Sequence, residues 1–189
     1  MNSEVPKNPV LFMKPSTAIV IDGEPITIPG ICLEMHHEVE LVVAIGTRCK
    51  HVPAREAFGH VLGYGVGLDM TLRDIQSEAK KKGLPWTISK GFDTSAPVSE
   101  IISADLVGNP HELTISCSVN GQLRQSSSTS AMVFTIDKII EYASSIFTLE
   151  KGDLIFTGTP EGVGPVRAGD LIEAELAGLT RTHHTIVSA

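Results

Sequence analysis

Turn chemistry returns about every ten residues through the last third of the chain, and that spacing constrains the fold more than any other feature. From Lys151 the order is "KGD", the apolar run "LIFTG", the loop "TPEGVGPV", then "AGD" and "LIEAEL". Short strands between frequent turns belong to sandwiches and barrels rather than to alternating strand and helix units. Upstream, "ELVVAIG" is β-branched and ends in glycine, while "GYGVGLDM" is a glycine-rich strand that another backbone can approach closely. The segment "LTISCSVNGQLRQ" alternates on either side of Asn120-Gly121, a pair that accepts the positive φ angles of a type I′ hairpin.

Two stretches switch to a helical period. "TLRDIQSEAKKKG" offers good helix formers, with Lys80 to Lys82 in a positively charged last turn and Gly83 as the stop. In "FTIDKIIEYASSIF", Ile136, Ile139, Ile140, Ala143, Ile146 and Phe147 fall on one face that should pack on a sheet. With 189 residues and 42% hydrophobic content, the chain can bury a full core. The expectation is a mostly β fold with few helices (α+β) in a single domain over residues 1–189.

Composition excludes several classes of partner. The net charge is -7, with scattered basic residues, which argues against a nucleic-acid or anionic-membrane surface. The cysteines, Cys32, Cys49 and Cys117, are widely spaced and form neither a disulfide framework nor a thiolate metal motif. No apolar run is long enough to span a bilayer, and "MNSEVPKNPV" has neither the basic nor the apolar region of a signal peptide. A cytoplasmic, reducing setting is expected. "GYGVG" is followed by more strand and "GTPEGVG" lacks a P-loop lysine, so neither suggests a nucleotide site.

The stretch "HHEVELVVAIG" places Glu38 and Glu40 two apart in an apolar strand, and so on one face of it. Holding two carboxylates together there is costly unless a proton or a cation neutralises them. Asp69, at the end of "GLD", can supply a third oxygen. Such a donor set points to a hard cation, Mg²⁺ or Mn²⁺ first and Ca²⁺ second. The same spacing also suits two glutamates facing solvent on a half-exposed strand. Of the adjacent His36 and His37, at most one can face the same way as the pair.

On a helix starting near Thr71, Arg73 and Gln76 share a face, with Asp69 one turn earlier. A guanidinium fork and an amide suit the oxygens of a small oxyacid; an Asp69–Arg73 ion pair on a helix surface is the alternative. Lys90 in "WTISKGFD" could balance the charge of an enolate, and Thr159 in "TGTPEG" offers a loop hydroxyl.

Taken together, "HHEVELVVAIG", "GYGVGLDMTLRDIQ", "KKKGLPWTISKGFD", "VNGQLRQ" and "LEKGDLIFTGTPEGVGPV" resemble the fumarylacetoacetate hydrolase family, most of all its acylpyruvase and oxaloacetate decarboxylase branch. The resemblance runs from about Val10 to Leu176. It implies a mixed β-sandwich roll, a homodimer, and Mg²⁺ or Mn²⁺ held by Glu38, Glu40 and Asp69. It also implies that Arg73, Gln76, Lys90 and Thr159 surround the keto-carboxylate end of a small 2-oxo acid, with Lys90 catalytic. The implied chemistry is acylpyruvate hydrolysis or oxaloacetate decarboxylation. Isomerisation or decarboxylation of unsaturated 2-oxo diacids, oxaloacetate tautomerisation, and a silent metal-binding scaffold are the alternatives.

Members of that branch carry a strand and lid helix ahead of the segment matching "NSEVPKNPVLFMKP", with a His and Glu pair that activates water. Nothing here corresponds to it, so the chain is expected to be N-terminally short and to decarboxylate better than it hydrolyses. A eukaryotic source would make a mitochondrial location the expectation.

Overall fold

The computed structural model describes residues 6–189; the first five residues of the stretch bearing on a leader lie outside the described residues. The first half of the fold comprises β1 (Ile19–Ile21), β2 (Ile26–Ile28), β3 (Met35–His37), β4 (Val39–Ile45), β5 (Val61–Leu68), β6 (Thr71–Leu72), α1 (Arg73–Lys82) and α2 (Thr87–Lys90). There follow β7 (Ala96–Val98), β8 (Ile102–Ser103), β9 (Thr114–Val119), β10 (Gln122–Ser128), α3 (Ile136–Ile146), β11 (Leu154–Phe156), β12 (Gly164–Val166), β13 (Leu171–Leu176) and β14 (Thr180–Ser188).

Among the described residues the strands form three sheets. One runs β1-β7-β5-β4-β11, with β8 also paired to β5; a second runs β10-β9-β13-β14-β2; a third, small sheet runs β12-β3-β6. A core cluster joins them, including Val39, Leu41, Val43 and Ile45 of β4, Val66 and Leu68 of β5, and Ile172, Ala174 and Leu176 of β13. The mixed β-sandwich roll expected from the sequence is the fold observed.

The local signals hold. Asn120 and Gly121 take φ of 53° and 73° between β9 and β10, the type I′ geometry. Gly83 ends α1 at φ 65°, with Lys80, Lys81 and Lys82 in the last turn. The glycines of β5 permit the close approach read from the sequence: a Cβ on Gly63 would meet the carbonyl oxygen of Ile102 at 2.1 Å.

Two helix readings need correction. α1 begins at Arg73 rather than near Thr71, because Thr71 and Leu72 pair with His36 and Met35 as strand β6. In α3, Ile136, Ile139, Ile140 and Ala143 are buried, but Ile146 and Phe147 are exposed. The helix ends at Ile146; Ile136, Ile140 and Ala143 join the core cluster of the strands, and the helix also packs on the 3₁₀ segment Ala54–His60.

Candidate functional site

The β4–β5 ladder builds the site. Val39 pairs with Leu68 and Glu40 with Gly67, and just beyond the ladder the Asp69 N–H donates to the Glu38 carbonyl at 2.8 Å. Glu38, Glu40 and Asp69 are thereby brought to one end of the two strands, and all three are buried. One carboxylate oxygen from each lies within 4.8 Å of the others. The solvent-facing alternative for the two glutamates is not what forms.

Cations surround the cluster unevenly. Lys90, at the C-terminus of α2 and only 2% exposed, donates from Nζ to Glu38 Oε2 at 2.7 Å, to Thr71 Oγ1 at 2.6 Å and to Asp69 Oδ2. Arg73 donates to Glu38 Oε1 and, at 2.7 Å, to the Gln76 side-chain oxygen. The Asp69–Arg73 ion pair considered from the sequence does not form, because β6 separates the two residues and turns Arg73 toward Glu38. Lys14 Nζ lies 2.8 Å from Asp69 Oδ1 and donates to the Ser95 carbonyl at 2.9 Å and to the Lys90 carbonyl.

Glu40 has no cation of its own. Its Oε2 accepts the Gly158 N–H at 2.7 Å. Burial, then the charges of Asp69 and Glu38, push its pKa up to about 8. Burial also raises Asp69, and Lys14 and Lys90 offset only part of the rise. For Glu38, burial acts upward but Lys90 and Arg73 outweigh it, so its carboxyl lies below the usual range. The Lys14 ammonium is disfavoured by burial in spite of Asp69.

These features fit a bound cation. The donors are all carboxylate oxygens, as a hard divalent ion requires. Glu40 lacks a charge partner, and Asp69 Oδ1 is buried without a hydrogen-bond donor, since Lys14 reaches ion-pair distance but not hydrogen-bond alignment. A divalent ion held by the three carboxylates would satisfy both.

The structure thus joins Glu38, Glu40, Asp69, Arg73, Gln76 and Lys90 in one network. Thr159 stands at its edge, half-buried, next to Gly158 and accepting from Gln125 at 2.9 Å. His37 stays outside it, whereas His36 touches its edge by accepting the Arg73 Nε–H at Nδ1, at 3.4 Å. His37 is buried and bonded through Nδ1 to Gln125 at 2.9 Å, while His36 Nε2 contacts Glu34 at 2.7 Å. Lys14, Thr71, Gln125 and the Gly158 N–H were not legible beforehand. A lone lysine in "FMKP" and a glutamine in a hairpin strand carry no signal by themselves.

A centre of this kind suits an enzyme that handles a small anion beside a hard cation. The chain belongs to the fumarylacetoacetate hydrolase family: residues 1–187 match its model for the fumarylacetoacetate (FAA) hydrolase C-terminal. It is 52% identical over 179 residues to the mitochondrial oxaloacetate tautomerase FAHD1 of Homo sapiens, spanning 95% of this chain and 81% of that one. It is 45% identical over 180 residues to the mitochondrial oxaloacetate decarboxylase of Dictyostelium discoideum, spanning 95% of this chain and 83% of the relative. The crystal structure of fumarylpyruvate hydrolase from Pseudomonas aeruginosa, in complex with Mn²⁺ and pyruvate, superposes with a TM-score of 0.90. The two sequences are 39% identical, over 94% of this chain and 78% of that one.

Proposed function

We propose that residues 1–189 act as one catalytic domain that takes Mg²⁺ or Mn²⁺ at Glu38, Glu40 and Asp69 and acts on small 2-oxo acids, oxaloacetate first. The observation that carries this reading is a proton-bearing side chain, Lys90, buried against a carboxylate cluster that still lacks positive charge at Glu40. The relatives named for oxaloacetate and the neighbour holding Mn²⁺ and pyruvate support the same substrate class.

A 2-oxo acid offers a carboxylate and a keto oxygen. The Arg73 side chain is 19% exposed, against 3% for Lys90, so its guanidinium is the more accessible of the two and is the group to grip the substrate carboxylate. Gln76 holds one arm of that guanidinium and so sets its orientation. When bound, the cation would draw negative charge onto the keto oxygen and acidify the neighbouring carbon. Lys90 then holds or delivers the proton. In tautomerisation one proton moves between carbon 3 and the keto oxygen. In decarboxylation the bond from carbon 3 to the departing carboxylate breaks, carbon dioxide leaves, and the pyruvate enolate takes a proton at carbon 3.

Hydrolysis of an acylpyruvate needs a water activator as well, and general-base help is worth about 10²- to 10⁴-fold. Among the described residues no histidine bonds to the three carboxylates: His37 bonds to Gln125, and His36 bonds to Glu34 and to the Arg73 guanidinium. Proton transfer and decarboxylation therefore suit these residues better than hydrolysis. The exposed side chains of Met13, Ile31 and Leu33 support a homodimer, and three free cysteines suit a reducing compartment. Among the described residues no helix is long and apolar enough to cross a membrane.

The test is enol–keto conversion of oxaloacetate and pyruvate release from oxaloacetate and acetylpyruvate, each with Mg²⁺, with Mn²⁺ and with EDTA. Metal-dependent turnover of oxaloacetate, abolished by Glu38→Ala, is the expected result. Folded, metal-loaded protein that turns over neither substrate would reject the reading.

A further inference from the structure

Gln125 ties together the two segments that carry the site, and nothing in the proposed chemistry uses it. It sits on β10, only 1% exposed, and its amide is bonded on both ends. The side-chain oxygen accepts from the Val39 N–H at 3.0 Å and contacts His37 Nδ1 at 2.9 Å, so it holds the residue on each side of Glu38. The side-chain nitrogen donates to Thr159 Oγ1 at 2.9 Å and to the Pro160 carbonyl at 3.1 Å.

The backbone is shaped to allow this. The β9–β10 register slips between Leu123 and Gln125, a bulge that inserts Arg124 and turns Gln125 inward opposite Cys117. The loop after β11 closes against that bulge. Gly162, at φ 97°, comes so near that a Cβ would meet the Arg124 carbonyl oxygen at 2.4 Å. The other end of the loop is fixed by Thr157, whose N–H donates to the Leu41 carbonyl at 3.1 Å, and by the Gly158 bond to Glu40.

One consequence concerns a single proton. Because Thr159 Oγ1 accepts from Gln125, its own O–H is left free to donate. We propose that Gln125 is a positioning residue that fixes the polarity of the Thr159 hydroxyl, so that Thr159 donates its hydrogen bond to an oxygen of the 2-oxo acid. This rests on the 2-oxo acid reading given above. Glutamate at position 125 keeps the oxygen that receives Val39 and His37 but loses the N–H donor. Its carboxylate must take the Thr159 proton instead, and the substrate loses it.

The experiment compares wild type, Thr159→Val, Gln125→Glu and the double variant by oxaloacetate kinetics and by oxalate affinity of the Mn²⁺-loaded protein. Mn²⁺ affinity and melting temperature are measured alongside. A neutral hydrogen bond of this kind corresponds to about a tenfold effect. Each single variant is expected to lose about tenfold in kcat/KM and in oxalate affinity, and the double variant no more than either, with Mn²⁺ affinity changed less than twofold. Gln125→Asn, which keeps both amide functions on a shorter arm, should recover part of the loss. Wild-type kcat/KM in Gln125→Glu, losses that multiply to about a hundredfold, or Mn²⁺ affinity falling in step with activity would each overturn the proposal. Wild-type protein that neither turns over oxaloacetate nor binds oxalate would instead overturn the 2-oxo acid reading, and this inference with it.

Discussion

Without a divalent ion the protein should lose stability as pH rises from 6.5 to 8, and Glu40 should be the cause. Its folded pKa is pushed up to about 8 from a usual 4.5, so between those values the folded state keeps a proton that the unfolded chain releases. Stability falls with pH wherever the folded state binds more protons. Asp69, also raised by burial, adds to the fall, whereas Lys14, His37 and His184, all lowered by burial, oppose it, so the Glu40→Gln comparison isolates the share that belongs to Glu40. The slope is about 1.4 kcal/mol per pH unit, hence about 2 kcal/mol over the window. For a chain of this length that corresponds to a fall of about 5 °C in melting temperature.

The assay is a series of melts in EDTA at pH 6.5, 7.25 and 8, repeated with saturating Mn²⁺ and with Glu40→Gln. The amide carries no titratable proton, so the variant should lose most of the slope while other groups contribute as before. Mn²⁺ should flatten the wild-type slope, because Glu40 is then ionised throughout. Equal slopes for wild type and Glu40→Gln in EDTA would refute the reasoning.

Three further outcomes follow from the contacts. Lys90→Met removes the ammonium between Glu38 and Asp69 and should cost about 3–5 kcal/mol in EDTA melts. Saturating Mn²⁺ should restore part of that stability, while turnover stays reduced by about 10²-fold or more. Arg73→Lys keeps the charge but loses the fork, and should raise KM for oxaloacetate by about tenfold with a smaller effect on kcat. Gly63→Ala drives a Cβ onto the backbone of Ile102 and should lower stability by about 1–3 kcal/mol or more, measured by urea unfolding.

What could be read from the sequence was what local geometry controls. The two-residue spacing of Glu38 and Glu40 fixed their shared side, and Asn120-Gly121 and Gly83 marked a turn and a helix end that need positive φ. Features set by distant partners were hidden. Thr71 and Leu72 looked helical, yet β3 captured them as a strand, and that moved the start of α1 and redirected Arg73 from Asp69 to Glu38. Ile146 and Phe147 kept the helical period but had nothing to cover them once α3 ended. Lys14 reaches the site across more than fifty residues of chain, and Gln125 turns inward only because of a one-residue bulge. Lys90 and Thr159 were singled out by family resemblance rather than by their surroundings, and only the fold shows Lys90 to bridge two of the carboxylates, Glu38 and Asp69.

The most direct test of the account is a Mn²⁺ titration followed by electron paramagnetic resonance, for wild type and Asp69→Asn, with and without oxalate. The account predicts one Mn²⁺ per chain in wild type, bound more tightly when oxalate is present, and affinity reduced at least about tenfold in Asp69→Asn. Mn²⁺ bound equally well by Asp69→Asn, or indifferent to oxalate, would contradict the claim that these carboxylates hold the ion on which the substrate assembles.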